Sequence, residues 1–551
     1  MRIVLLIAVL MFAPLPVTAT TGDEAPTLLG LICHAGGPPT IAGPHRLVML
    51  PGMGDDHMAA DTKNPAAQRW FDYGLTLARS FEHSDAILAF QQAEAADPTC
   101  SLCAWGEAWA RGQTINYGVS RDQTAAALVL ARKARELATP DVLASIRSLE
   151  SALIDRYAAA NSAARNRAFA ADLDAMDRAD PTNVEIAIFD AEAWLIVQDG
   201  GATSTAMRAV DVLRPLVPTH LDSSGLIHFY IHATEDAGVP ELAAPYAERV
   251  AQLAPNASHM VHMPSHTDFR IGRYEAAALA NVAALRVDRA YAERTDFPTP
   301  LGRLMYHFHD IQFGLGAAMM SGDAKIALQL VQQFNHDFPS PSTYDPRAEM
   351  AGGQTYAALG RFAAPQAVLA APDTVSAKPF LEAMRHYARG EAFVRLSQPA
   401  AVRAEAAVIS LPGDDPTAPP RSTAAVVARI ARLTLEGNAD MLNDDPAASA
   451  RVFLAAADLQ DARLAEKIDP PRWWYPVRRS LAAALLASGD ALDAERQAST
   501  VLKTWRLDPL TLAIRARAEQ RLGSPGAAAD LTAARHGWHG DPRSLRADQL
   551  S

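Results

Sequence analysis

Sixteen histidines occur in the 551 residues, and eight of them fall between positions 220 and 309. Two pairs there are spaced four apart, His228 with His232 and His262 with His266, and His259 and His309 flank them. Imidazoles at i and i+4 on a helix stand one above the other and can share an ion, and a neighbouring helix with a second pair completes a four-ligand set. Glu235, one turn beyond His232, can ligate or act as a base. Such a donor set suits zinc, copper or iron, so a transition metal ion is the expected cofactor. Metal-assisted hydrolysis through an activated water and copper- or iron-dependent oxidation are both open. So is a plainer reading, since His pairs are common on exposed helix faces, and a histidine-lined surface can be solvated or take an acidic peptide. Pro264, between His262 and His266, removes a helical hydrogen bond unless it lies in a first turn. If the helix starts there, His259 and His262 come from the preceding loop.

Other chemistry-bearing residues are fewer. Cys33, Cys100 and Cys103 are the only cysteines. Cys100-Ser101-Leu102-Cys103 reads as a local disulfide pinning a helix start, because a redox-active pair needs a βαβ setting that is missing and haem attachment needs His where Ala104 stands. Asp55, Asp56, His57 and His83 read as solvated or capping residues that could add ligands. Trp473-Trp474-Tyr475 reads as an aromatic cluster packing a helix start. Gly-rich phosphate loops, nucleophile elbows and kinase signatures are absent from the sequence.

The elements that must position the histidines are helices. From about residue 66 to 536 helical periodicity dominates, with no sustained strand-type alternation. Residues 67–100 carry Trp70, Gly74, Ala86, Phe90, Ala93 and Pro98; Gly74 and Ala86 let two helices approach, Trp70 and Phe90 fill the space between them, and Pro98 ends the second. This spacing resembles the 34-residue tetratricopeptide repeat, with Tyr73 and Leu77 departing from the usual residues. Further units start near Ser224 (Ala243, Ala247, Pro255), Ser258 (Gly272, Tyr274, Ala277) and Phe308 (Gly322, Ala327), and others span 475–508 and 509–536. Residues 120–220 and 340–470 are helical without that spacing. The resemblance implies an all-α, right-handed superhelical solenoid of antiparallel helix pairs. The segments around His228–His232 and His262–His266, Cys100 to Trp105, and Trp474-Tyr475-Pro476 resemble an exported bacterial subgroup of that family.

In the tetratricopeptide family, repeat positions 2, 5, 9, 12 and 13 face the concave groove. The resemblance therefore puts His228, His232 and Glu235, then His259, His262 and His266, then His309 on that face. Six of fifteen such positions are histidine, where average usage gives about 0.4. The implied alternative to a metal site is a non-catalytic scaffold that binds a protein or peptide partner in the groove.

Residues 1–19 read as a cleavable signal peptide, with Arg2, an apolar run from Val4 to Phe12 and Val17-Thr18-Ala19 at the cleavage site, which points to a periplasmic or secreted protein. The run is too short to span a bilayer, and no later segment is long enough. Residues 20–65 form an irregular Pro- and Gly-rich leader, 66–410 an N-terminal array, 411–421 a Pro-rich loop that marks a break, and 422–551 a C-terminal array. A net charge of −12 with no Lys/Arg stripe argues against nucleic acid.

Overall fold

The computed structural model describes residues 47–159, 161–197, 202–297, 301–304, 306–373, 375, 377–415, 418–464 and 470–545. The signal-like segment, most of the leader and Cys33 lie outside these. Among the described residues the chain is all helix and turn, and no helix is long and apolar enough to cross a membrane.

Helices pack on their sequence neighbours as antiparallel pairs, and the first helices of successive pairs also meet. Val184–Ile196 touches Ser224–Asp236, and His307–Ser321 touches Pro346–Phe362. This pairwise-plus-next pattern makes a tetratricopeptide-like solenoid, in which each unit buries its apolar face on the units beside it. The first pair, Pro65–Arg79 and His83–Ala96, follows the expected logic at Gly74. A methyl group there would stand 2.8 Å from the Phe90 ring, so only glycine lets the helices close. Trp70 does not fill the space between them. It is half-buried against Tyr73, and Phe71, fully buried beside Phe90, does that work. Asn64 and Ser223 start their helices by accepting from the backbone N–H of Ala66 and Leu226, satisfying donors the first turn leaves open. Across the Pro-rich loop the flanking helices Pro399–Val408 and Thr423–Leu442 pack directly on one another.

An open solenoid would leave its inner face wet. Here contacts between units far apart in sequence fill it. Pro65–Arg79 reaches across to Ser224–Asp236, the Asn116 side chain donates to the Tyr306 hydroxyl at 2.6 Å, and the backbone N–H of Asn256 donates to the Gly52 carbonyl at 2.8 Å. From the other end, the Tyr274 hydroxyl donates to the Arg506 carbonyl at 3.0 Å, and Trp538 covers Gly322. Gly272, at φ +87°, ends Pro264–Ile271, and a methyl group on it would sit 2.2 Å from the Arg506 carbonyl oxygen. The molecule is closed on itself around the histidines.

Candidate metal centre

Three stretches carry the site. Ser224–Asp236 is buried on every face, so its histidines point into protein wherever they project. The second stretch is a five-residue helix, Ser258–His262, followed by Pro264–Ile271. Pro264 occupies a first-turn position, where its missing N–H costs nothing. Met263 between the two keeps helical angles (φ −54°, ψ −36°). His259 and His262 are thus helical, not loop residues as the proline suggested, because the chain turns through Met263 without leaving the helical region. The third is His307–Ser321.

These elements bring all seven predicted residues together. His228, His232, His259, His262, His266, His309 and Glu235 are between 0 and 4 % exposed. The expected groove surface is therefore an interior, because the repeats fold back over it. Two groups of three histidines form, His228/His232/His259 and His262/His266/His309, with ligand atoms within 4.8 Å of one another in each; His232, Glu235 and His266 make a third group that links them. The two triads abut, with ring centroids 5.3 Å apart for His232–His266 and 5.6 Å for His259–His262.

Hydrogen bonds behind the rings fix their tautomers. His266 donates from Nδ1 to Glu235 Oε2 at 2.6 Å, and Arg270 Nε donates to the other oxygen of that carboxylate at 2.6 Å. His262 donates from Nδ1 to Asn281 Oδ1 at 2.7 Å, while the Asn281 amide nitrogen is committed to the Ala277 carbonyl. His228 donates from Nδ1 to the Arg79 carbonyl at 2.6 Å. A neutral imidazole carries one N–H, so Nε2 of each is a bare lone pair. Yet His262 Nε2 and His266 Nε2 are 2.8 Å apart, and His228 Nε2 lies 3.0 Å from His232 Nε2 and 3.1 Å from His259 Nε2. Nitrogens bonded to one ion at about 2.0–2.1 Å stand roughly 2.9–3.4 Å apart, so the first triad is spaced as ligands are and the His262–His266 pair lies just below that range's lower edge. Glu235 stands behind His266, in the orienting position that a carboxylate commonly takes toward a metal-bound imidazole.

Burial and the neighbouring rings disfavour protons here. Desolvation pushes His228 and His309 down to about 3, and pushes His232, His259 and His262 well below the ordinary value, the other histidines adding to the effect. These rings are neutral at physiological pH, the state that binds metals.

Residues without a sequence signal complete the surroundings. Phe81 touches three rings of the first triad, at 4.5 Å from His228, 4.7 Å from His259 and 5.5 Å from His232. Its φ is +63°. It occupies the left-handed turn that closes Pro65–Arg79, where the backbone N–H of Glu82 donates to Leu77 and that of Phe81 to Ala78. The equivalent turns after Ser224–Asp236, Pro264–Ile271 and His307–Ser321 hold Gly238, Gly272 and Gly322. A phenylalanine in that conformation costs on the order of 1–2 kcal/mol, and it places an aromatic wall on the site. A bulky residue where the turn favours glycine was the available clue.

His83, expected to be solvated, is buried against Phe81 and Tyr117, with both ring nitrogens unpartnered. The turn that lifts Phe81 draws it inward. The leader supplies no ligand from its described part: His57 is exposed and pairs with Asp72 at 2.9 Å, Asp55 is exposed, and Asp56 is buried against Arg79 at 2.9 Å. Cys100 and Cys103 are joined, Cα atoms 5.3 Å apart, at the start of Ser101–Ala110. Trp473, Trp474 and Tyr475 are buried just before Arg478–Ala487.

No family model matches the chain, and no curated protein matches its sequence. Among solved structures it is similar to the Naa15/Naa10 assembly bound to HypK-THB, at 13 % identity over 89 % of this chain and 74 % of that one, with a TM-score of 0.24. It is also similar to the human IFIT1 dimer with m7Gppp-AAAA, at 13 % identity over 87 % and 90 % with a TM-score of 0.30. A third is the P58(IPK) TPR domain, at 11 % over 77 % and 99 % with a TM-score of 0.18. Superpositions at such scores support no inference about what the chain does.

Proposed function

We propose that this chain is an exported transition-metal protein that uses a closed helical solenoid to hold metal ions in two abutting histidine triads. One observation carries the reading. His262 and His266 both direct Nδ1 at an oxygen acceptor, which leaves their Nε2 lone pairs facing each other at 2.8 Å in a buried interior. Two lone pairs at that separation repel, and nothing in such a place relieves them so well as a cation bound by both. Copper, zinc and iron all accept imidazole, and a fourth position left open by each triad would make metal-dependent chemistry available.

The test is metal analysis of protein purified without an affinity tag. The expected result is up to two ions per chain, one lost in His228→Ala/His232→Ala and the other in His262→Ala/His266→Ala. Metal at a thousandfold excess over Kd stabilises the fold by about 4 kcal/mol, read as a rise in Tm. Protein that takes no copper, zinc or iron at any loading overturns the proposal. Export rests on residues 1–19, and recovery of a chain shortened by that segment from the periplasm or medium checks it.

A further inference from the structure

Resting on the metal reading above, we infer that the two triads hold a pair of copper(I) ions whose substrate is dioxygen. Three features of the site converge on this. The first is charge. Imidazole ligates through a lone pair and brings no charge of its own, and the carboxyl groups beside these rings include Glu235, paired with Arg270, and Asp310, 3.3 Å from His262. Two divalent ions would bring four positive charges into an interior with few carboxylates to offset them, and uncompensated buried charge is expensive. Two monovalent ions halve that load. Copper(I) is the monovalent member of the set that imidazole binds, and it is content with three ligands.

The second is access. Every ligand is buried, and aromatic rings stand against both triads: Phe81 on the first, Phe313 at 5.2 Å from His262 and 5.1 Å from His266 on the second, and Tyr306 at 4.7 Å from His259. A charged or bulky substrate has to open the repeats to enter. A small, neutral, apolar diatomic crosses such a wall through ordinary side-chain motion.

The third is pairing. The triads share no ligand and lie side by side, so two electrons are available at one place. Each copper(I) gives up one electron to become copper(II), and dioxygen takes both, its double bond falling to the O–O single bond of a peroxide held between the two ions. No proton is needed. The two positive charges gained by the metals are cancelled by the two negative charges of peroxide, so the buried site keeps its net charge through the reaction.

The experiment loads the metal-free chain with copper(I) under anaerobic conditions and then titrates dioxygen. Two copper(I) per chain, one dioxygen consumed per two coppers, a new charge-transfer absorption and no EPR signal from the coupled copper(II) pair are expected. His309→Ala, which breaks the second triad and leaves the first intact, should still bind copper and lose the one-to-two uptake. Copper(I) bound in both triads without uptake, isolated copper(II) signals after exposure, or zinc filling both triads while copper(I) is refused would each overturn dioxygen as the substrate and leave the metal proposal standing. A chain that takes no metal overturns both. The wild-type stoichiometry decides the matter even if the variant fails to fold.

Discussion

His307 and His309 sit two residues apart on one helix, both buried, and their rings titrate in opposite directions. His309 is held down to about 3 by desolvation and by the histidines around it. His307 is raised to about 9, because Asp288 Oδ2 at 2.7 Å and Asp337 Oδ2 at 2.6 Å clamp its two nitrogens and outweigh the burial. Burial alone therefore does not set the state of a histidine here; the atoms at its two nitrogens do. Between two carboxylates the ring is a cation and a structural tie, joining Tyr274–Thr295, His307–Ser321 and Ala324–Asp337. Among other imidazoles the ring is neutral, the state in which a nitrogen lone pair can ligate.

The largest effect expected from this contrast is an acid limb in the stability of the metal-free chain. His83, His228 and His309 have folded values of about 3 against an unfolded value of 6.5, so the unfolded chain binds more protons and stability falls as pH drops below 6.5. At one unit below, each contributes about 1.4 kcal/mol of loss, on the order of 4 kcal/mol together. Urea midpoints measured from pH 7.5 to 5.5 should fall steeply, and metal that binds the folded chain should raise the whole curve without flattening it. A flat profile would mean that the rings are hydrated. Next in size is His307→Gln. The folded value of His307 lies above the unfolded one, so its contribution is whole below pH 6.5 and disappears as pH rises through about 9. The variant should lose on the order of 2 kcal/mol at pH 6 and little at pH 9.5, and equal losses at both would show packing rather than charge. The smallest is Asn281→Leu, which removes the acceptor behind His262. Metal affinity should drop about tenfold, roughly 1.4 kcal/mol, in a competition titration with a chromophoric chelator, with Tm of the metal-free chain changed less.

The repeat marks made the helix pairs legible, because close approach of two helices demands small residues at fixed places and Gly74, Ala86 and Gly272 stand in them. The i, i+4 pairs and the repeat frame placed six histidines and Glu235 on one face, and that placement is local in origin. What was not legible came from distant contacts. Asn281, the Arg79 carbonyl and Phe81 reach the rings from other helices at no fixed spacing. The burial of the face also depends on units far away in sequence, such as Arg506 against Gly272. Expectations for Trp70 and His83 failed for the same kind of reason, since tertiary packing decided which neighbouring residue turned inward.

The seam where Arg506 closes over Gly272 bears on when an ion can get in. Chains of stacked repeats ordinarily breathe and fray from their ends, but here the far end is latched across the middle. On the proposed metal reading, an ion behind that latch would leave only when a whole unit swings aside. Filling would then be easiest while the last repeats have yet to dock, which would tie uptake to the final steps of folding.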